Sequence, residues 1–141
     1  MRPLYVLLVY LVAPLVIAHE AWKALFNPAY RGRLGQRLGF VQRAARPGSV
    51  WIHAVSVGEV QAAAGLVSEL QRRYPTLPIV LTTVTPTGSQ RARSLFNEGV
   101  QICYLPYDLP GSVGRFLDRI SPQVVVILET EIWPTLYHQL G

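Results

Sequence analysis

Four short apolar runs, each followed by a segment with helical spacing, constrain this chain more than anything else in it. The runs cover residues 50–55, 79–84, 100–105 and 124–128. They have strand length and are rich in β-branched side chains. After the first run, Ala63, Leu66, Val67 and Leu70 recur at i, i+3, i+4 and i+7, which predicts a helix over 60–73 with one buried face. Arg72 and Arg73 close its last turn, where cations suit the helix dipole. Pro86 opens a second helix with a capping-box pattern, Thr87-Gly88-Ser89-Gln90, and Ala92, Leu95 and Phe96 as its buried face. Asp108 is placed to cap a third helix carrying Val113, Phe116, Leu117 and Ile120. A fourth starts near Trp133 and Pro134. Four strand–helix alternations with short connections predict an α/β fold, a parallel sheet with flanking crossover helices. The continuous apolar run 124–128 fits a parallel strand covered on both faces.

In such a sheet every strand-to-helix loop opens on one edge, where ligands bind. Here those loops hold residues 56–59, 85–89, 107–108 and 129–133. If the strand order is 3-2-1-4, the first and last strands are neighbours and a crevice opens between their ends. Glu59 and Glu129 would then flank it. A carboxylate partly shielded from water beside a second negative charge holds its proton more tightly and can serve as a base near neutral pH. No other nucleophile-and-base pattern is present: there is no GxSxG, P-loop or GxGxxG. The Thr- and Ser-rich loops and the helix N-termini can hold a phosphate or sugar hydroxyls. Structural roles compete with each reading. Ser56-Val57-Gly58-Glu59 also fits a capping box, and Glu129 fits an acid favouring the dipole of the last helix.

At 141 residues the chain suits one domain. Half of it is hydrophobic and only 15% is charged, and the apolar excess is concentrated at residues 4–18. That run is shorter than the ~20 residues of a spanning helix. It reads as a tilted anchor, an interfacial helix, the apolar part of a signal sequence or a core helix. No convincing cleavage site follows, which favours a retained anchor. Net charge is +5, and Arg31, Arg33, Arg37, Arg43 and Arg46 contribute much of the excess. Such a stretch suits an anionic membrane face, the phosphates of a ligand or plain solvation. Nucleic acid is the weaker partner, since no recognisable nucleic-acid motif accompanies the charge. Cys103 lies within an apolar run and reads as a buried small hydrophobe. His53, inside the first strand, reads as a hydrogen-bonded core residue. Residues 1–25 are thus read as an anchor segment, 26–48 as a basic irregular connector with a short helix near 33–38, and 49–141 as the α/β domain. Four strands and a helical stub leave a sheet edge uncovered, which suggests the front part of something longer.

Four segments, HAVSVGE (53–59), LTTVTPTGSQR (81–91), YLPYDLP (104–110) and ILETEIWP (127–134), resemble the 3-deoxy-D-manno-octulosonic acid (Kdo) transferases of Gram-negative bacteria in order and spacing. The resemblance covers essentially the whole chain. It implies the N-terminal, Rossmann-like, acceptor-binding domain of a two-domain GT-B glycosyltransferase that inverts configuration. The acceptor would be the lipid A precursor. The donor, CMP-Kdo, would be held mainly by a C-terminal domain that these residues do not include, so the 141 residues alone are expected not to turn over. No cofactor and no metal is implied. The location implied is the cytoplasmic face of the inner membrane, beside the membrane surface. By motif, Glu59 would be the general base and Glu129 a second essential acid. Ser56, Gly58, Thr85, Thr87 and Gly88 would shape the acceptor pocket, with Arg31 and Arg33 favouring its phosphates. Gln36 departs from the family, which often has an acid there. The resemblance specifies neither an oligomeric state nor how many Kdo residues are added.

Overall fold

The computed structural model describes residues 2–96, 99–129 and 131–141. The element order is α1 (Arg2–Phe26), a 3-10 turn (Pro28–Tyr30), α2 (Arg33–Arg37), β1 (Ser49–His53), α3 (Val57–Arg73), β2 (Ile79–Thr83), α4 (Pro86–Leu95), β3 (Val100–Tyr104), α5 (Pro110–Ile120), β4 (Pro122–Ile127) and α6 (Pro134–Leu140). The four strands form one parallel sheet in the order β3-β2-β1-β4. That is the α/β alternation read from the sequence, with the strand order on which the crevice depended.

Successive side chains of a strand point to opposite faces, so β1 feeds two cores. Val50 and Ile52 pack with Leu81 of β2 and with Val60, Ala63 and Val67 of α3. Trp51, one residue out of phase, packs on the other face with Val80, Phe116 and Ile120. The Trp51 and Phe116 rings meet edge-on, 5.0 Å apart, a pairing worth about 0.5–1.5 kcal/mol beyond its burial. Cys103 belongs to this second core, and burial pushes its thiol up to about 12.

Several local expectations are corrected. Leu66 is 38% exposed, and the buried stripe of α3 is Val60, Ala63 and Val67. The cap of α4 is Thr85, whose hydroxyl accepts from the Gly88 N–H at 3.0 Å, rather than Thr87. Pro86 fills the first helical position, where the missing N–H costs nothing. Asp108 does not cap α5. Its carboxylate reaches forward to α6, accepting from the N–H groups of Thr135 and Leu136 at 2.9 and 2.8 Å. Within these residues β4 pairs with β1 on one side, and Val124 is 49% exposed.

The basic connector is packed rather than loose. Arg33 and Arg37 are buried. Arg33 pairs with Glu20 of α1 at 2.7 Å and donates to the Val84 carbonyl at 2.6 Å. Arg37 donates to the Leu105 carbonyl at 2.6 Å and lies over the Tyr107 ring. The helical pattern at the N-terminus runs past the apolar stretch to Phe26, so α1 has the length and composition to cross a membrane. None of its apolar span is buried, which sets aside the core-helix reading. The Tyr5 hydroxyl donates to Asp108 at 2.7 Å, tying α1 to the carboxyl edge of the sheet.

Candidate functional site

β1 ends at His53, and the chain turns through Val55 and Ser56 into α3. Glu59, in the first turn of that helix, folds back on the turn. One oxygen accepts from the Val55 N–H at 2.7 Å, and the other accepts from the Ser56 hydroxyl at 3.0 Å. This is a variant of the capping box, because Ser56 spends its side chain on Glu59 and makes no bond to the helix backbone. Each carboxylate oxygen has two lone pairs, so both can accept one further donor. Gly58 faces open space, with nothing within 4 Å of where a Cβ would lie.

The loop after β2 closes on the same turn. The Thr85 hydroxyl lies 3.4 Å from the Val55 carbonyl. A Cβ on Gly88 would approach Thr85 Oγ1 to 2.9 Å and the Val55 carbonyl to 3.2 Å. Only a glycine lets the start of α4 sit this close to the end of β1. Thr87 stays exposed at the rim. Beside this junction a cavity of about 860 Å³ opens, lined by Arg31, Arg33, Thr85, Thr87, Arg93 and Tyr104 among others. Gln36 also lines it and accepts from the Tyr104 N–H at 2.9 Å. At this position the amide oxygen does for the backbone what a carboxylate would.

The structure thus brings Arg31, Arg33, Thr85 and Thr87 to one cavity, with Gly88 behind its wall and Ser56, Gly58 and Glu59 on the adjoining turn. The two arginines differ. Arg33 has committed its guanidinium to Glu20 and Val84, whereas the Arg31 side chain is exposed and, among the described residues, donates only to the Ala24 carbonyl at 3.4 Å. Glu129 follows β4 at an exposed position, and Thr130 lies outside the described residues.

Sequence reasoning passed over Glu131. Its carboxylate accepts from Trp133 Nε1 at 2.8 Å and lies 3.2 Å from His53 Nε2. His53 itself is buried, as read from the sequence, with Nδ1 2.8 Å from the Thr82 hydroxyl. Burial lowers its pKa from the ordinary 6.5, against the opposing pull of Glu131 and, more weakly, Glu59. The imidazole is therefore neutral at physiological pH. Period two could have hinted at this contact, since His53 shares a sheet face with Trp51. The sequence places residues 129–133 at the same sheet edge, but nothing in it says that Glu131 reaches His53.

The sequence model of the family described as 3-deoxy-D-manno-octulosonic-acid transferase (kdotransferase) matches residues 32–141. Among curated proteins, a 3-deoxy-D-manno-octulosonic acid transferase of Haemophilus influenzae is 44% identical over 99% of this chain and 33% of its own length. One from Bordetella pertussis is 42% identical over 79% of this chain and 26% of its own. A probable mitochondrial transferase of the same name from Arabidopsis thaliana is 34% identical over 94% of this chain and 30% of its own. The chain spans about a third of the length of these relatives, corresponding to their N-terminal part.

Proposed function

The chain belongs to the Kdo transferase family, and from that premise we propose that it is the acceptor-receiving part of an inverting GT-B glycosyltransferase. The substrates would be CMP-Kdo as donor and a lipid A precursor as acceptor. Glu59 would take the proton from an acceptor hydroxyl. That oxygen would attack the anomeric carbon of Kdo, and the bond to the CMP phosphate would break with its electron pair leaving on CMP. The observation that carries this reading is the position of Glu59: a carboxylate held in place at the carboxyl edge of β1, next to a cavity lined with arginines. Arg31 and Arg93 supply positive charge suited to an acceptor phosphate. Ser56, Gly58, Thr85, Thr87 and Gly88 would shape the pocket, and Glu129 would be a second acid, exposed on the β4 side of the same sheet edge.

The exposed apolar surface of α1 would rest in the cytoplasmic face of the inner membrane and hold the acceptor edge beside its lipid. The Glu20–Arg33 contact supports this, because it couples the helix to a residue that lines the cavity. The 141 residues, which span about a third of the relatives' length, would supply acceptor binding, and transfer would also need what the rest of those relatives contributes.

A second reading has its own observation in the bond from the Val55 N–H to Glu59. In it the chain is a membrane-tethered module for an anionic lipid or nucleotide, and Glu59 only caps. One experiment separates the two. The chain is fused to the remaining two thirds of the Haemophilus influenzae relative, and transfer of labelled Kdo to lipid acceptor is measured for the parent and for Glu59→Gln. A base predicts a loss of about 10²–10⁴-fold in kcat with acceptor affinity kept. A cap predicts a loss of stability of about 0.5–2 kcal/mol with the rate retained, and retained rate would overturn the proposal.

A further inference from the structure

A line of hydrogen bonds crosses the sheet from the second core and ends at Glu131. Indole nitrogen can only donate, so Trp51 Nε1–H donates to the Thr82 hydroxyl at 2.8 Å. That hydroxyl, already accepting, passes its own proton to His53 Nδ1, also at 2.8 Å. A neutral imidazole accepting at Nδ1 carries its proton on Nε2. Nε2–H then points at Glu131 Oε2, 3.2 Å away. The opposite tautomer would set a bare nitrogen against a carboxylate, and a charged ring is opposed by burial. The direction of the line is therefore set at its Glu131 end, and the Thr82 hydroxyl, with one proton and two lone pairs, can accept from Trp51 and donate to His53 in keeping with it.

Glu131 is held from three sides. His53 and Trp133 both reach Oε2, and the Tyr137 hydroxyl donates to the Glu131 backbone carbonyl. Oε1 has no protein partner among the described residues, and the side chain is 29% exposed. A carboxylate with one oxygen fastened and the other offered to solvent, at the edge where Glu59 sits, is arranged to accept a hydrogen bond from a bound molecule. Its two protein donors are spent on a single oxygen, which leaves geometry rather than chance to aim the second.

We propose that Glu131 is a further acceptor-binding residue, whose Oε1 accepts a hydrogen bond from a sugar hydroxyl, and that His53 is the positioning residue that aims it. This rests on the reading of Glu59 as the base. Sugar hydroxyls are the matching ligand class because they donate without carrying charge, whereas a phosphate would be repelled by an ionised carboxylate. Phosphate and sugar recognition are thus separated, with the arginine-lined cavity on the α4 side of β1 and Glu131 on the β4 side.

The fused enzyme described above provides the test. Glu131→Gln keeps the shape, but the donors from Trp133 and His53 claim its one amide oxygen, so the free position carries an NH2 donor in place of the charged acceptor. It is expected to lower kcat/KM for the acceptor about 10-fold to 100-fold, the range of one charge-assisted hydrogen bond, with most of the change in KM. His53→Phe is expected to show a similar loss, and the double variant no more than the larger single loss. His53→Gln, whose amide can present an N–H toward Glu131, is expected to recover part of it. ¹⁵N NMR of the chain itself should show the Nε2–H tautomer for His53, a readout that does not depend on turnover. Unchanged acceptor KM in Glu131→Gln, or multiplicative losses in the double variant, or an Nδ1–H tautomer would overturn the proposal. Glu59→Gln run alongside keeps the two claims apart: if it retains full rate, the base assignment fails whatever Glu131 does.

Discussion

The ends of β1 and β4 lie side by side in the sheet, yet they are built in opposite ways. β1 is central, every residue of it is buried, and its end is fastened locally: Glu59 closes on Val55 and Ser56 within five residues. β4 is half open within these residues, and its following loop is fastened both locally, by Trp133 and Tyr137, and from a distance, by His53 of β1. The lesson is that one acid is positioned by its own turn alone and the other partly by a strand 78 residues away. A change in the core should therefore reach the β4 loop and leave the β1 turn largely intact.

The sharpest way to break the comparison is in the strands themselves. Trp51→Ala removes a fully buried ring from the second core and the first donor of the line to Glu131. It should cost about 3–5 kcal/mol. Val124→Ala on β4, 49% exposed, should cost less than about 1 kcal/mol. Equilibrium denaturation of the two variants gives both numbers, and equal losses would remove the central-versus-edge distinction.

Next in size is Asp108. Its buried carboxylate accepts three hydrogen bonds, from Tyr5, Thr135 and Leu136. Asp108→Ala should cost about 2 kcal/mol through the lost cap and the stranded donors. Because α6 carries Tyr137, the variant should also loosen the β4 loop, seen as faster amide hydrogen exchange there than in the turn at residues 55–59. Uniform exchange in both segments would contradict the claim that only the β4 side depends on α6.

The smallest effect is a pH dependence. Folding lowers the pKa of His53 from 6.5 by burial. Below that value the unfolded chain takes a proton that the folded chain refuses. Stability from this group is therefore complete above about pH 6.5, falls as pH drops toward the folded value, and then levels off. The steepest slope for one group is about 1.4 kcal/mol per pH unit. Denaturation at pH 7.5 to 5 should show stability falling with pH in the parent, by no more than this slope, and falling less in His53→Gln. The same slope in both would place the acid sensitivity elsewhere.

Legibility followed the range of the interaction. Thr85, Pro86 and Gly88 announce the start of α4, but the sequence put the cap two residues late because T-x-x and P-T-G-S patterns overlap there. Leu66 satisfied the helical period and still faces outward, since period alone does not say how wide the buried stripe is. Ser56, Gly58, Thr85, Thr87 and Gly88 lie together because the two loops that hold them share one sheet edge. Arg33 was read as a free cation because Glu20 is thirteen residues away, on another helix.

The sequence by itself determined the alternation of strands and helices, the α/β class, the loops at the carboxyl edge and the membership of the family. These follow from periodicity and short motifs, which are local properties. Tertiary structure alone decided that Asp108 caps α6, that Arg33 and Arg37 are buried, and that Glu131 lies against His53. Each of those is a polar side chain that must find a partner once water is removed. Which partner it finds depends on how distant segments stack, and pattern in one segment carries no record of that.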